Sequence, residues 1–506
     1  MEKQPSKILL FLLPTFANVI WIAVFFGVLI FGRQMINADG DLALHLTMGR
    51  YILDHGRIPL EDVFSHTLAG QPAAQHKWLA QLIFAVAERL MGLAGVVLLC
   101  AIVIACALWL VYRLANHDGQ SLFSTVFILL LVISASMVHW LTRPHVFTFL
   151  FLALWMTILN QLYKGKSQRW WLLPVLMVLW VNLHGGFIAG LVTWLLYGLG
   201  VGWDAVMERA PELAPRFWRH YLLGGVTAFF ATLINPSGIG LWLMIITHLG
   251  NRYLADFTLE FNSPNFHLVA LWPFLVMIGL LPIILGLSEK KINPGLLLNT
   301  ATWLMMALYS GRNIPLFTIV AAPLLVGGLD DIFSRAAVRA RLIKRFKQLD
   351  SRLQMIDNQL KGFTWPLLSI LLVSVGLGIG LRFDLQGQGF GFDKDAFPIS
   401  AVDWLEDNPQ EGEMFNYFTW GGYLQYRLWP EKRVFIDSNS DFYGEAFVRQ
   451  YAQVMQLAED WEDVLEQYNV AWAILPSESL TAAEFQRQLG WSVLFQDDTA
   501  VILGRE

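Results

Sequence analysis

The stretch "ILLFLLPTFANVIWIAVFFGVLIFGRQMINADGDLALH", residues 8–45, joins an apolar run to an acidic step. Residues 8–31 are long enough to cross a bilayer core of about 30 Å as a helix. The run then meets Asp39, Gly40 and Asp41. No small-residue cleavage site precedes the first charged residues, so the segment reads as a retained first span rather than a signal peptide.

The pattern recurs along the chain. Of 506 residues, 56% are hydrophobic and 15% are charged, against about 25% charged in a soluble domain. Further apolar spans fall at 93–114, 121–140, 145–162, 170–183, 186–203, 220–235, 267–287, 294–309, 314–329 and 363–382. They predict an α-helical polytopic membrane protein of about eleven spans. A β-barrel requires short alternating segments instead. Cys100 and Cys106 both lie inside one apolar run and read as packing residues, with no disulfide framework.

Loop charge supplies an orientation, because Lys and Arg favour cytoplasmic loops. With the N-terminus inside, the inner loops hold Lys164, Lys166, Arg169, Arg209, Arg216, Arg219, Lys290 and Lys291, and then a basic run over 335–347. The outer connections hold little beyond Arg143, Arg252 and Arg312. This predicts a multi-pass protein of the cytoplasmic membrane with its C-terminal region outside. The basic run is a topology anchor on anionic lipid, not a nucleic-acid site.

Two outer regions are large. Residues 1–382 form the membrane domain, with an outer loop at 32–92. Residues 383–506 follow a glycine-rich linker and alternate strand-like with helical runs. "MFNYF", "RVFID", "VAWAIL", "WSVLF" and "AVILG" read as strands. "ISAVDWLEDN", "GEAFVRQYAQVMQLAED" and "TAAEFQRQLG" read as helices. The tail is thus a small extracytoplasmic α/β domain.

After the acidic step, Leu42, Leu46, Gly49 and Leu53 have the spacing of an amphipathic helix, which predicts a helix in the outer interface. Asp41 and His45 share one face of it. Asp39 or Asp41 suits an N-cap; either also suits a general base or a ligand to a divalent metal ion. Arg143 and His145 in "LTRPHVF", His184 in "VNLHGGF", Asn235 in "NPSG", Arg252, Glu260 and Arg312 in "GRNIPLF" fall on the same side. Any one of them also suits a solvated or capping residue of a wet turn. Together they make an anion site, since Arg holds phosphate through a bidentate fork. No GxxxxGK[ST], HExxH, CxxC or GxSxG occurs, and span interiors are nearly free of acids. These absences disfavour an ATP-driven pump, a zinc protease, a thiol oxidoreductase and an ion antiporter.

"DGDLALHLTMGRYILDHGRIPLEDVFSH" resembles the first outer loop of a family of bacterial polytopic membrane proteins related to the GT-C glycosyltransferase superfamily. "TRPHVFTFL", "NLHGGF", "NPSG", "RNIPLF" and "MFNYFTWGGYLQYRLWPEKRVFIDSNSDFYGE" are similar to further motifs of that family. "WGGYL…VFIDSNS" is similar in outline to the WWDYG and DNN segments of oligosaccharyltransferase catalytic subunits. The resemblance implies sugar transfer from a polyprenyl-phosphate donor at the outer leaflet. It implies Asp41 or Asp39 as base or metal ligand, and Arg143, His145, His184 and Arg312 as the clamp on the departing phosphate. His45, His76, Glu260, Trp420, Tyr423 and Asp437 are further candidates. The sequence departs from the family pattern at Lys77 in "HKWL" and at Gln81, where acids are expected, and at "WGGY", which lacks the central aspartate. Trp420 to Tyr423 also suit a tight strand-to-helix turn with packed aromatics. The missing acids motivate a second reading, a non-enzymatic scaffold or assembly subunit that holds a protein partner through its tail. A lipid or polysaccharide carrier is a third, disfavoured by apolar span interiors.

Overall fold

The computed structural model describes residues 7–116, 119–207, 215–249, 251, 253–254, 261–339, 341–360, 362 and 364–505. Its first part is helical: α1 (Lys7–Leu12), α2 (Phe16–Asn37), α3 (Asp41–His55), α4 (Trp78–Ala115), α5 (Leu122–Ser136), α6 (His145–Tyr163), α7 (Leu172–Leu183) and α8 (Phe187–Val206). There follow α9 (Pro215–Ala231), α10 (Gly240–Leu249), α11 (Trp272–Leu287), α12 (Pro294–Tyr309), α13 (Ile314–Arg339), α14 (Arg341–Asp357) and α15 (Thr364–Gly378).

Each apolar run of the sequence coincides with one of these helices. Among the described residues, seven helices are long and apolar enough to cross a membrane, so the count of eleven is not reached on length. The segments at α7, α9, α12 and α15 have 12, 17, 16 and 15 residues, short of the roughly 20 that a perpendicular crossing takes. The helices share one apolar core, in which α2 packs on α4, α4 on α6, and α12 on α8 and α13. Leu195, Leu199 and Trp203 of α8 and Leu367, Leu371 and Leu372 of α15 face outward, as lipid-facing positions do. Cys100 is buried in this core, and Trp21 Nε1 donates to Cys106 Sγ at 3.4 Å.

The outer loop is part of the fold rather than a fringe. Helix α4 is broken at Met91 and Gly92, where φ reaches +62° at the glycine, so residues before the break belong to the loop and those after it to the span. Helix α3 forms as its spacing predicts, but it is sandwiched, buried against α4 on one side and the tail on the other.

The tail holds α16 (Ile399–Asp407), β1 (Glu413–Asn416), α17 (Gly421–Leu428), α18 (Ser440–Met455), α19 (Trp461–Gln467), β2 (Val470–Pro476), α20 (Leu480–Leu489), β3 (Ser492–Gln496) and β4 (Ala500–Gly504). The sheet order is β1-β2-β4-β3, parallel at β1-β2 and antiparallel elsewhere. Alternation along β2 sends Trp472 and Ile474 to one apolar cluster, with α16 and α17, and Ala473 and Leu475 to another, with α18, α19 and α20. Helices therefore cover both faces.

"RVFID" is the exception among the predicted strands. Val434 makes a single bridge, to Ser65 of the outer loop. The Asn416 side chain accepts from Phe435 N at 2.8 Å and Ile436 N at 3.3 Å and donates to Ile436 O at 2.8 Å. A side-chain amide thus takes the place of a neighbouring strand. Loop and tail are joined again by His66 Nε2 to Met414 O at 2.9 Å and Thr67 Oγ1 to Phe435 O at 2.7 Å. A third joint is Arg50, which grips Glu88 through two hydrogen bonds of 2.9 and 2.7 Å while Tyr426 donates to the same carboxylate at 2.6 Å. It locks α3, α4 and α17 together by charge-assisted bonds.

Candidate functional site

Asp39 and Asp41 stand where α2 gives way to α3. Asp39 Oδ1 accepts the Asp41 backbone N–H at 2.9 Å, which starts α3 and places carboxylates at its positive end. The tail docks directly on this turn. A Cβ on Gly40 would lie 2.0 Å from the Thr419 carbonyl oxygen, and one on Gly422 would lie 2.6 Å from the Gly40 oxygen. Only glycine permits the two backbones to approach this closely.

Arg143 comes to the same point from the turn before α6. Thr142 Oγ1 donates to Met35 O at 3.1 Å, which fastens that turn to the end of α2. Arg143 Nη2 then lies 2.6 Å from Asp39 Oδ2, and Nη1 lies 3.3 Å from Asp41 Oδ2. Burial raises the Asp39 pKa to about 6, against the opposing pull of Arg143. Burial works the same way on Asp41, but Arg143, with Lys77 adding to it, outweighs burial and holds Asp41 below the usual carboxylate value. Asp41 therefore stays ionised into acid, while Asp39 is the member that takes up a proton as pH falls to about 6.

The histidines follow. His45 is 2% exposed, and its Nδ1 accepts from Gln81 Nε2 at 3.2 Å. Burial, with Lys77 next, lowers its pKa to about 3, so the ring is neutral. His184 Nδ1 accepts from Gly186 N at 3.0 Å and pairs with Thr148 Oγ1 at 2.9 Å, while Trp180 Nε1 donates to Thr148 at 3.0 Å. That arrangement puts the His184 proton on Nε2. Arg312, Lys77, His76 and His45 all lie within electrostatic range of His184, and Arg312 also stands over the Phe261 ring at 4.5 Å. His145 Nε2 donates to the His139 carbonyl at 2.8 Å, and its ring lies 6.3 Å from that of His184.

A cavity of about 50 Å³ lies between the outer loop and the tail, lined by His45, His76, Lys77, Gln81, Asp62 and Asp437, among others. Asp437 is 6% exposed and accepts from Gln425 Nε2 at 2.6 Å and Asn439 N at 2.8 Å. Burial raises its pKa to about 6, aided by the charges of Asp62 and Asp41. Ser438, next in the chain, lies beside Asp41.

The structure thus brings Asp39, Asp41, His45, His76, Arg143, His184, Arg312 and Asp437 to one end of the bundle, with His145 just behind. It does not bring Trp420 and Tyr423 there. Trp420 is buried in the tail and donates to Ala396 O at 3.0 Å, and Tyr423 is buried beside Arg427. The pair packs the strand-to-helix turn. Asn235 closes its own turn through Ser237 N at 2.9 Å and Thr232 O at 2.7 Å. Glu260 and Arg252 lie outside the described residues. Sequence reasoning did not single out Lys77, Gln81 or Ser438 as members of the site. Their only signal was that Lys77 and Gln81 replace expected acids.

A guanidinium already spans both carboxylates, and among the described residues no group of three or more His, Cys, Asp or Glu converges as metal ligands.

No family model matches the chain, and no curated protein matches it in sequence. Solved structures do match in shape. The chain is similar to ArnT from Cupriavidus metallidurans bound to undecaprenyl phosphate, with 14% identity, a TM-score of 0.51 and coverage of 96% of this chain and 97% of that one. The apo state of the same protein gives 13% identity, 0.51, and 96% of each chain. It is also similar to the apo Archaeoglobus fulgidus oligosaccharyltransferase, with 12% identity, a TM-score of 0.56 and coverage of 91% and 69%. These are GT-C glycosyltransferases, and the chain has their fold: a multi-span helical bundle with a small C-terminal sheet domain.

Proposed function

We propose that the chain transfers a sugar from a polyprenyl-phosphate donor to an acceptor at the outer face of the cytoplasmic membrane. The observation that carries this is the convergence of Asp39, Asp41, Arg143, Lys77, His184 and Arg312 at one end of the bundle. The fold shared with a protein whose crystal structure holds undecaprenyl phosphate supports the donor class.

The geometry supports the following roles. Asp41, ionised at neutral pH, accepts the hydrogen bond of the acceptor and orients its lone pair. Asp39 is a positioning residue: one of its oxygens starts α3 and the other holds Arg143. Lys77, Arg312 and the Nε2–H of His184 supply positive charge for the phosphate. In the transfer, the acceptor oxygen or nitrogen bonds to the anomeric carbon as the carbon–oxygen bond to phosphate breaks. The electron pair leaves with the polyprenyl phosphate, and the acceptor proton passes to Asp41. A cavity of about 50 Å³ is far below the roughly 300 Å³ of a small-ligand site, so on this reading the outer loop and tail part to admit the sugar.

The test is transfer of a radiolabelled sugar from polyprenyl-phosphate donors by the wild type and by Asp41→Asn. Turnover that falls at least a hundredfold in the variant supports the assignment. Equal turnover removes Asp41 from the mechanism. No transfer by the wild type, with a stoichiometric protein partner on purification, favours the scaffold reading instead.

A further inference from the structure

Part of the basic run that orients the chain folds into α14, and α14 holds the starts of two other helices. Asp350 Oδ1 accepts Phe123 N at 2.9 Å in the first turn of α5, and Asp357 Oδ1 accepts Phe16 N at 2.7 Å at the first residue of α2. Between them, Gln354 Nε2 donates to Gln120 O at 2.7 Å. Residues 350, 354 and 357 share one face of α14. The two aspartates stand about 10.5 Å apart along its axis, close to the roughly 8–10 Å between packed helices. Helix α14 therefore runs across the ends of the bundle helices rather than along them. This end is remote from the candidate site: α2 runs 22 residues from Phe16 to Asn37, about 33 Å, before the chain reaches Asp39. Loop charge assigns it to the cytoplasm.

The other faces of α14 are open. Leu342, Phe346, Leu349 and Ile356 are exposed and follow the helical period, so they form one apolar stripe. At about 100° per residue, the stripe is centred about a quarter turn from the aspartate face. Arg341, Arg345 and Arg352 lie about half a turn from that face, along the edge of the stripe. These arginines and Lys344 are exposed, and none of the four has an ion pair or hydrogen bond among the described residues. The stripe calls for hydrocarbon, and the cations beside it call for anions. A leaflet with anionic headgroups supplies both at one depth.

We propose that α14 binds anionic lipid of the inner leaflet, and that this binding fastens the starts of α2 and α5 through Asp357 and Asp350. The stripe enters the acyl boundary, and the arginines fork onto lipid phosphates. The first N–H groups of a helix lack partners within it. Helices α2 and α5 take acceptors for Phe16 and Phe123 from α14, so whatever holds α14 in place also holds those two turns. Neutral lipid satisfies the stripe but leaves the arginines without counter-charge. Dependence on lipid charge is therefore the signature, and it is independent of the sugar-transfer reading.

The experiment is hydrogen exchange of the full-length protein in nanodiscs of phosphatidylcholine, with and without phosphatidylglycerol. Exchange over 341–357 is expected to be at least about tenfold slower in the anionic discs, since each basic residue near an anionic surface adds about fivefold. The first turns of α2 and α5 are expected to slow with it. The triple variant Arg341→Gln, Arg345→Gln, Arg352→Gln, at exposed positions, is expected to lose the effect of phosphatidylglycerol. Leu349→Ser is expected to speed exchange in both discs and keep their ratio. Asp357→Ala is expected to keep the slowing over α14 and lose it at the start of α2. The arginine variant keeps the proposal testable if Asp357→Ala fails to fold. Equal exchange of the wild type in the two discs overturns the proposal. So does slowing that survives in the triple variant, or slowing that follows protein concentration at fixed lipid, the mark of a second copy on the stripe. Slowing at α2 that survives Asp357→Ala overturns the link to the bundle.

Discussion

Arg143→Met keeps the aliphatic stem and removes the charge that spans Asp39 and Asp41. The guanidinium nitrogens lie 2.6 and 3.3 Å from the two carboxylates. An opposite charge this near lowers a carboxyl pKa by about 1–3 units. Asp39 already stands at about 6 with Arg143 in place, so without it the aspartate pair is expected to take up one shared proton with an apparent pKa of about 7–9. The sign follows from proton linkage. A carboxyl whose folded pKa exceeds its unfolded value favours the fold at low pH, and that contribution is lost as pH rises through the folded pKa. The wild type loses it through about pH 6; the variant loses it at higher pH. The variant is therefore expected to match the wild type most closely near pH 5 and to be least stable near pH 9, by about 1–4 kcal/mol at 1.36 kcal/mol per unit. Thermal unfolding of both proteins in one detergent across pH 5–9 measures the difference. Infrared spectroscopy reports the protonated carboxyl directly. A variant with no extra carboxylic-acid band at pH 7, and a stability deficit independent of pH, would refute the claim that Arg143 sets the charge of the pair.

Gly422→Val is expected to lift the tail off α3, because even a Cβ there would stand 2.6 Å from the Gly40 oxygen. The overpacking costs at least about 1–3 kcal/mol, read as faster hydrogen exchange over 414–439 with the helical bundle unchanged. Gln81→Glu places a carboxylate against His45 Nδ1 and is expected to raise that ring from about 3 by about 1–3 units, measurable by NMR with labelled histidine. A histidine pKa that does not move would show that burial and Lys77 alone set it.

Much of the fold was legible because long apolar runs and short alternating runs carry their own periods. The apolar helices of the bundle other than α10, and the four strands β1 to β4, were read in this way, while the amphipathic α14 was read as a basic inner loop. "RVFID" was misread because the pattern reports local burial, not partners: Asn416 and Ser65 replace the neighbouring strand. The acidic step reads as a cap or as a site; Gly40 holds the N-cap position with no side-chain cap bond, Asp39 accepts the Asp41 N–H just ahead of the helix, and the catalytic part for Asp41 stands as the proposal. What the sequence placed on one side as a loose set, Arg143 turns into a bridge between two carboxylates about a hundred residues away. That contact depends on how the turn before α6 meets the end of α2, which no local pattern records. Lys77 entered the reading only as a missing acid, yet it faces Asp41, His45 and His184, so its charge belongs with the cations of the site. Trp420 and Tyr423 matched a motif in outline and proved to be packing, because burial and a turn demand the same glycines and aromatics.

The central claim is that a polyprenyl phosphate seats its charge between Lys77, His184 and Arg312, within reach of Asp41. A photoreactive undecaprenyl-phosphate analogue, crosslinked to the full-length protein and mapped by mass spectrometry, tests it most directly. The account predicts labelling within residues 39–45 and 76–81 and next to Arg312, lost in the double variant Lys77→Met with Arg312→Met. Labelling confined to the lipid-facing surface of α8 or α15, unchanged in that variant, would contradict it.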